Sequence, residues 1–244
     1  MKKRIYLIDE LRGALIIVVV IFHLIYSMDV IFHIEAVRGA YTSMLSWQPI
    51  IPALFILISG VSFQLSRNNV KRGLKLLAVS TGITLVLWII MPDQIIWFGI
   101  LHFLAVMNIG FGLIKKYVDK IPAVFGIVLF AVLFLLTFNV HRGYIGIDGI
   151  WTLDLPEFLY QTDLAAPLGF CTSSFRSADY NPLLPWMFMF LIGAILGRYT
   201  NKIPDSLAKP HIKPLAFIGR HTLIIYIVHQ PIIVGVLYLI TGRF

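Results

Sequence analysis

Cysteine, acidic side chains and charge of either sign are scarce in this chain of 244 residues. The single cysteine, Cys171, excludes a disulfide framework within one chain and any thiolate metal cluster that needs two or more cysteines. Charged residues make up 13 % against about 25 % in a soluble domain, which excludes a water-soluble globule. Internal repeats, low-complexity tracts and a separate soluble domain are also missing. What is there instead is apolar: 59 % hydrophobic residues and a mean hydropathy of +0.87 exclude disorder and indicate a polytopic helical membrane protein. The net charge of +8 does not indicate a nucleic-acid partner. That would need a basic face on a folded soluble domain, and here the basic residues sit between apolar runs.

Seven apolar segments can be drawn, at about 11–32, 48–66, 74–91, 95–114, 121–138, 182–199 and 214–240, each close to the ~20 residues that cross a hydrocarbon core. Lys2, Lys3, Arg4 and Arg12 precede or open the first, and Arg67, Lys71, Arg72 and Lys75 fall between the second and third. Lys115, Lys116 and Lys120 follow the fourth, and Arg198, Lys202, Lys209 and Lys213 follow the sixth. Only Arg38, Arg142, Arg176 and Arg243 fall on the other side, a split of 15 to 4, with Arg220 inside the last segment. The positive-inside rule then puts the N-terminus in the cytoplasm and the C-terminus outside, as an odd helix count requires. The basic start resembles a signal peptide, but the apolar stretch is too long and no small-x-small site follows, so it reads as an uncleaved first helix. The chain is therefore expected to be a single all-α transmembrane domain over 1–244, multi-pass in the plasma membrane. Its one long connection, about 139–181, is acidic, lies outside in this topology and has the length of a lid or binding surface. Its run Trp151 to Tyr160 is expected to lie along the interface as a short helix.

Ionisable groups inside apolar segments are costly and therefore functional candidates. His23 lies about 12 residues into the first segment, His102 about 7 residues below the outer boundary of the fourth, and His229 about 15 residues up the seventh. At 1.5 Å per residue all three reach the outer half of the bilayer at similar depth. The alternative is that each is a neutral imidazole serving as interhelical glue. Arg12 and His23, 11 residues apart, share one face of the first helix at ~100° per residue. Tyr226 and His229 share a face of the seventh, followed by Gln230 and by Pro231, a candidate kink. Arg220 and His221 sit near its cytoplasmic end. The run Asp179-Tyr180-Asn181-Pro182 to Pro185-Trp186 opens the sixth helix, with Asn181 as expected N-cap and Trp186 at the interface. Asp179 is equally readable as a cap or as a carboxylate at the mouth of a histidine site. Gly193 and Gly197 form a small-xxx-small packing pair.

Ile8-Asp9-Glu10-Leu11-Arg12-Gly13 followed by His23, then Phe98-Gly99-Ile100-Leu101-His102-Phe103, then Asp179-Tyr180 to Pro185-Trp186, then Ile218-Gly219-Arg220-His221-Thr222-Leu223 to His229-Gln230-Pro231, together resemble the catalytic-domain family of heparan-alpha-glucosaminide N-acetyltransferase. The match spans nearly the whole chain, although Asp-x-x-Arg-Gly before a histidine-bearing helix is shared more widely by membrane acyltransferases. The resemblance implies acetyl transfer from cytoplasmic acetyl-CoA, as cosubstrate, to an acceptor on the far side of the membrane. It also implies a catalytic histidine after the first helix, to which either His33 or His23 corresponds here. Unlike the lysosomal enzyme, this chain is short and has no large extramembrane N-terminal domain, as in small bacterial members.

Acetyl transfer needs a base for the attacking amine or hydroxyl and donors for the oxyanion. His23 or His102 is the first choice for the base, with Asp179 as orienter and Tyr226, His229, Gln230 and Trp186 on the substrate side; a route through acyl-histidine is open too. Arg12, Arg220, His221 and Arg72 are candidates for the CoA phosphates. No metal is expected, and pairing with a second copy stays open. Two other classes compete, a haem or redox protein using the membrane histidines and a small-molecule transporter.

Overall fold

A computed structural model of the chain describes residues 4–204, 207 and 209–242, so Lys2, Lys3 and Arg243 of the charge count lie outside the described residues. The chain is an all-α polytopic membrane protein with one small hairpin. Among the described residues five helices have the length and apolarity of a membrane span, and a sixth span is made if the bent pair Glu35–Leu45 and Ile50–Leu65, which meet at 53°, counts as one. The usual burial pattern is inverted: side chains such as Ile89, Val124 and Leu239 are more than three-quarters exposed, as apolar groups facing lipid are. The chain divides into two compact units, Met1–Ile58 with Thr200–Phe244, and Ser59–Tyr199.

In the first unit α1 (Tyr6–Tyr26) continues into a π-helical turn at Ser27–Ile31, and α2 (Arg38–Leu45) leads to α3 (Ile50–Leu65), whose second half belongs to the other unit. The last apolar segment is broken. A short helix α8 (Lys213–Arg220) stops at His221, and the span proper, α9 (Thr222–Thr241), ends on Gly242 in the left-handed region that favours glycine. Arg220 therefore lies at the end of α8 and not inside a span, and His229 is the eighth residue of α9 and not the fifteenth of a longer helix. α1 packs against both α8 and α9. Backbones approach closely there because Gly13 and Gly219 have no Cβ; one at Gly219 would strike the Asp9 carbonyl, and one at Gly13 the Leu215 carbonyl. Pro231 sits within α9.

In the second unit α4 (Asn69–Ile90) starts on Asn68, whose side chain accepts the Lys71 N–H at 2.8 Å, and packs along α5 (Ile100–Val118). α6 (Ala123–Thr137) packs on α7 (Leu183–Gly197) around Val118, Phe130, Phe188, Leu191 and Ile195. α5 begins at Ile100, because Ile95 to Gly99 is extended and pairs with the chain returning before α7. Ala178 N–H donates to the Ile95 carbonyl and Asn181 N–H to that of Phe98, each at 2.9 Å. The expected helix over Trp151 to Tyr160 is corrected. Trp151–Asp154 is strand β2, antiparallel to β1 (Tyr144–Ile147), and a 3₁₀ turn follows at Glu157–Tyr160. An Asp148-Gly149 turn with Gly149 at φ +77°, β-forming Trp151 and Thr152, and Pro156 after them decide against a helix.

Candidate active site

The first motif of α1 holds α8 in place. Asp9 accepts from Arg4 Nε at 2.8 Å, and a Glu10 carboxylate oxygen accepts the backbone N–H groups of His211 and Ile212 at 2.6 and 2.8 Å. Glu10 thus satisfies donors at the entry to α8 as an N-cap would, from a different helix. Arg12 is half-buried one residue before the Gly13 contact. Arg220 is exposed, its guanidinium 5.9 Å from the Tyr6 ring and its Nε donating to the Ala216 carbonyl. His221, also exposed, hydrogen-bonds through Nδ1 to the Phe217 carbonyl at 2.9 Å.

Eleven residues beyond Arg12, about 16 Å along the helix, His23 meets His229. The two rings are edge to face with centroids 4.9 Å apart. Phe22, Tyr26 and Tyr226 lie against this pair, and Tyr41 of α2 packs on Phe22 and Tyr26. His229 Nδ1 is 2.7 Å from the Tyr226 carbonyl and 3.2 Å from that of Ile225. Gln230 Nε2 donates to Ser27 Oγ at 3.0 Å. Among the described residues around this pair, His23 Nδ1, His229 Nε2 and Gln230 Oε1 are buried and make no hydrogen bond of good geometry, although the Gln230 side chain lies beside His23. Buried polar groups are nearly always hydrogen-bonded, so a cluster of unused ones in an aromatic surround marks a place for a polar ligand or water. Edge-to-face packing leaves no room for a macrocycle between the rings, so the pair is not built as a bis-histidine haem site.

The outer end of α1 holds residues that the sequence reading missed. The π turn carries Ser27, fully buried, and Asp29, which accepts from Arg38 Nε at 3.2 Å. A π turn is often found at functional sites. The available signal was a carboxylate six residues after His23 in an otherwise apolar run. His33 follows, exposed, at φ +53°, a left-handed conformation that is costly for a residue other than glycine.

The remaining candidates belong to the second unit. Asp179 is a cap, but of α5: its Oδ2 accepts the Ile100 N–H at 2.8 Å and its Oδ1 accepts from Asn181 Nδ2 at 2.6 Å. Asn181 is accordingly not the N-cap of α7, which Pro182 supplies without a side-chain bond. Gly99 makes room for the arrangement, since a Cβ there would collide with the Asp179 carboxylate. His102 lies in the first turn of α5, stacked on Phe98 with centroids 6.0 Å apart, and not 7 residues deep. Trp186 packs edge to face on Phe134 of α6. Arg72 is half-buried in the first turn of α4, beside Gly73, where Ala105 and Ile109 of α5 come close.

Beyond the spans in this unit Lys115, Gln64, Asp119 and Arg198 form one polar cluster, in which Arg198 Nε and Nη2 are buried without a hydrogen-bond partner. Lys115 reaches both Gln64 and Asp119, Gln64 Nε2 donates to Asp119 Oδ1 at 2.7 Å, and Arg198 Nη1 donates to the carbonyls of Asp119 and Ile121. Burial alone would raise the Asp119 carboxyl, but the bonds from Lys115 and Gln64 and the charges of Lys115 and Arg198 outweigh it and hold it below the usual carboxylate range. In the connection before α7, burial first and then Cys171 and Asp163 push the Tyr180 phenol up, while its hydroxyl donates to the Ala166 carbonyl.

Apolar spans, a split last segment and a buried histidine pair with open valences define a polytopic membrane protein built around intramembrane imidazoles. The chain belongs to the family described as heparan-alpha-glucosaminide N-acetyltransferase, catalytic, whose model matches residues 4–231. It is thus a member of a membrane acetyltransferase family. No curated protein and no solved structure matches the chain.

Proposed function

We propose that this protein transfers an acetyl group from acetyl-CoA at the cytoplasmic face to an amine or hydroxyl of a sugar or glycan reached from the other side, with the His23–His229 pair at the reacting centre. The observation that carries the reading is the buried His23–His229 pair, with His229 Nε2 left without a hydrogen-bond partner. An imidazole lone pair in a water-poor aromatic surround suits removal of a proton from an attacking group, which contributes typically 10²–10⁴-fold to a rate. The positive-inside charge split supports a cytoplasmic N-terminus. It thereby supports a donor held by Arg12, Arg220 and His221. From that level the thioester has to extend about 15–20 Å to reach the histidines, and a pantetheine arm has that reach.

Sealed inside-out vesicles test the arrangement. Acetyl-CoA added to the bath acetylates glucosamine trapped in the lumen, with CoA thiol release in step, while both substrates in the bath give little product. Equal rates in the two arrangements, with vesicle integrity verified, would mean a shared entrance. No thiol release in either, across amino sugars and glycans, would remove the acetyltransferase reading for this chain.

A further inference from the structure

We infer that His229, on the last helix, is the proton acceptor in this transfer, and that the backbone of α9 sets it for that task. The inference rests on the acetyltransferase reading above and assigns a task within it to a histidine outside the first helix and its loop. A neutral imidazole has one N–H and one lone pair, and its hydrogen bonds decide which nitrogen carries which. The Tyr226 and Ile225 carbonyls can only accept. With both directed at His229 Nδ1, at 2.7 and 3.2 Å, that nitrogen carries the hydrogen, and the lone pair is on Nε2. His229 Nε2 is buried and meets no protein donor, so the lone pair is neither hydrated by bulk water nor spent on a structural bond.

The contrast with its neighbour is in the same contacts. His23 Nδ1 is buried and makes no hydrogen bond of good geometry, its side-chain neighbour being the Gln230 amide, so its tautomer is held less firmly than that of His229. His229 is also held more firmly: the next residue, Gln230, is anchored through Nε2 to Ser27 Oγ of the π turn, and the His229 ring stands edge-on to His23. A carbonyl that takes an imidazole N–H also steadies the imidazolium formed when the other nitrogen gains a proton, the role a carboxylate plays in a catalytic triad.

The step balances without a further reactant. The acceptor N–H or O–H gives its proton to His229 Nε2 while its nitrogen or oxygen forms a bond to the thioester carbon. The C–S bond then breaks, and the CoA thiolate takes the proton back from the imidazolium, leaving neutral His229, CoA thiol and the acetylated acceptor.

Two measurements test this in the full-length protein in lipid nanodiscs. The first is ¹⁵N NMR of histidine-labelled protein, with the His229 signals assigned from their loss in His229→Asn: Nδ1 should show the protonated, pyrrole-type shift and Nε2 the pyridine-type shift. A protonated Nε2 overturns the proposal, whatever the activity. The second is acetyl-CoA-dependent acetylation of glucosamine. His229→Asn places an amide N–H near the Nδ1 position and removes the lone pair. It should keep the wild-type melting temperature within a few degrees and lose about 10²–10⁴-fold in kcat. His229→Gly should recover part of its rate on addition of free imidazole, which a purely structural histidine would not show. Wild-type kcat in folded His229→Asn, or an unrescued His229→Gly, overturns the assignment alone. A wild-type protein that transfers acetyl to no acceptor removes the reaction itself, and with it both readings.

Discussion

The histidine pair of the first unit and the Asp179 junction of the second are both built from buried polar residues, yet they are finished to different degrees. At the junction each Asp179 oxygen has a donor, Ile100 N–H for one and Asn181 Nδ2 for the other, and Gly99 leaves the space for the carboxylate. At the pair, His229 Nε2 has none. A closed network is worth its hydrogen bonds and holds a helix start; an open one costs stability and persists where a ligand or a proton completes it. Polar residues in a membrane segment are thus not equivalent evidence of function. What separates them is whether their valences are already used.

Exchanging single side chains tests that separation most strongly. His229→Ala should reduce turnover about 10²–10⁴-fold with the fold retained, whereas His102→Ala should forfeit only its stack on Phe98, an interaction of about 0.5–1.5 kcal/mol, and keep kcat within about tenfold. CoA release measured on both variants decides it, and a greater loss at His102 would move the reacting centre to the second unit.

Next in size is the support of the pair. Gly219→Ala puts a methyl group into the Asp9 carbonyl, a backbone atom that cannot step aside, and should cost about 1–3 kcal/mol. Thermal unfolding in detergent should show it, with activity falling alongside because α8 leads into α9. An unshifted melting curve would mean that the α1–α8 approach is looser than described.

Asp179→Ala removes a cap and should destabilise by about 0.5–2 kcal/mol. Asp179→Asn, which keeps an acceptor for the Ile100 N–H, should recover most of that. If Asn instead lost turnover at full stability, the junction would be part of the chemistry and the contrast drawn here would fail.

The smallest effect concerns pH. The Asp119 carboxyl is held below its ordinary value of 3.8 in the folded protein, so the folded state binds fewer protons than the unfolded state around and just below that pH. Its contribution is complete above the ordinary value and is lost as pH falls through the lowered one. Asp119→Asn should therefore flatten the acid limb of a stability-against-pH curve below about pH 4 and change little near neutrality beyond the lost pairing. Because Asp119 is about a third exposed, the effect should weaken with salt. Identical acid limbs in the two proteins would show that the cluster does not pair in solution.

Much of the architecture could be read from the chain alone, because the bilayer demands long apolar runs and all seven such runs contain helix, five or six of them, among the described residues, making spans. The boundaries that went astray were decided by partners distant in sequence. A helix starting near residue 95 became extended chain up to Gly99, because residues 178–181 pair with it and Asp179 caps at Ile100. The last segment broke at His221, with Glu10, two hundred residues earlier, satisfying the N–H groups where α8 begins.

Composition, hydropathy and four ordered motifs were enough to determine a polytopic helical membrane protein, its family, and the short set of residues from which a site is made. Those properties follow from local chemistry: a side chain is apolar or titratable wherever it is placed. Which histidines meet is another matter. His23 and His229 are separated by most of the chain and face each other where α1 packs on α9, beyond the close approach of α1 and α8 at Gly13 and Gly219. His229 presents a lone pair only because two carbonyls of its own helix hold the hydrogen on its other nitrogen. Hydrogen-bond valence is spent between neighbours in space, so the distinction between a finished cap and an open site came with the tertiary structure alone.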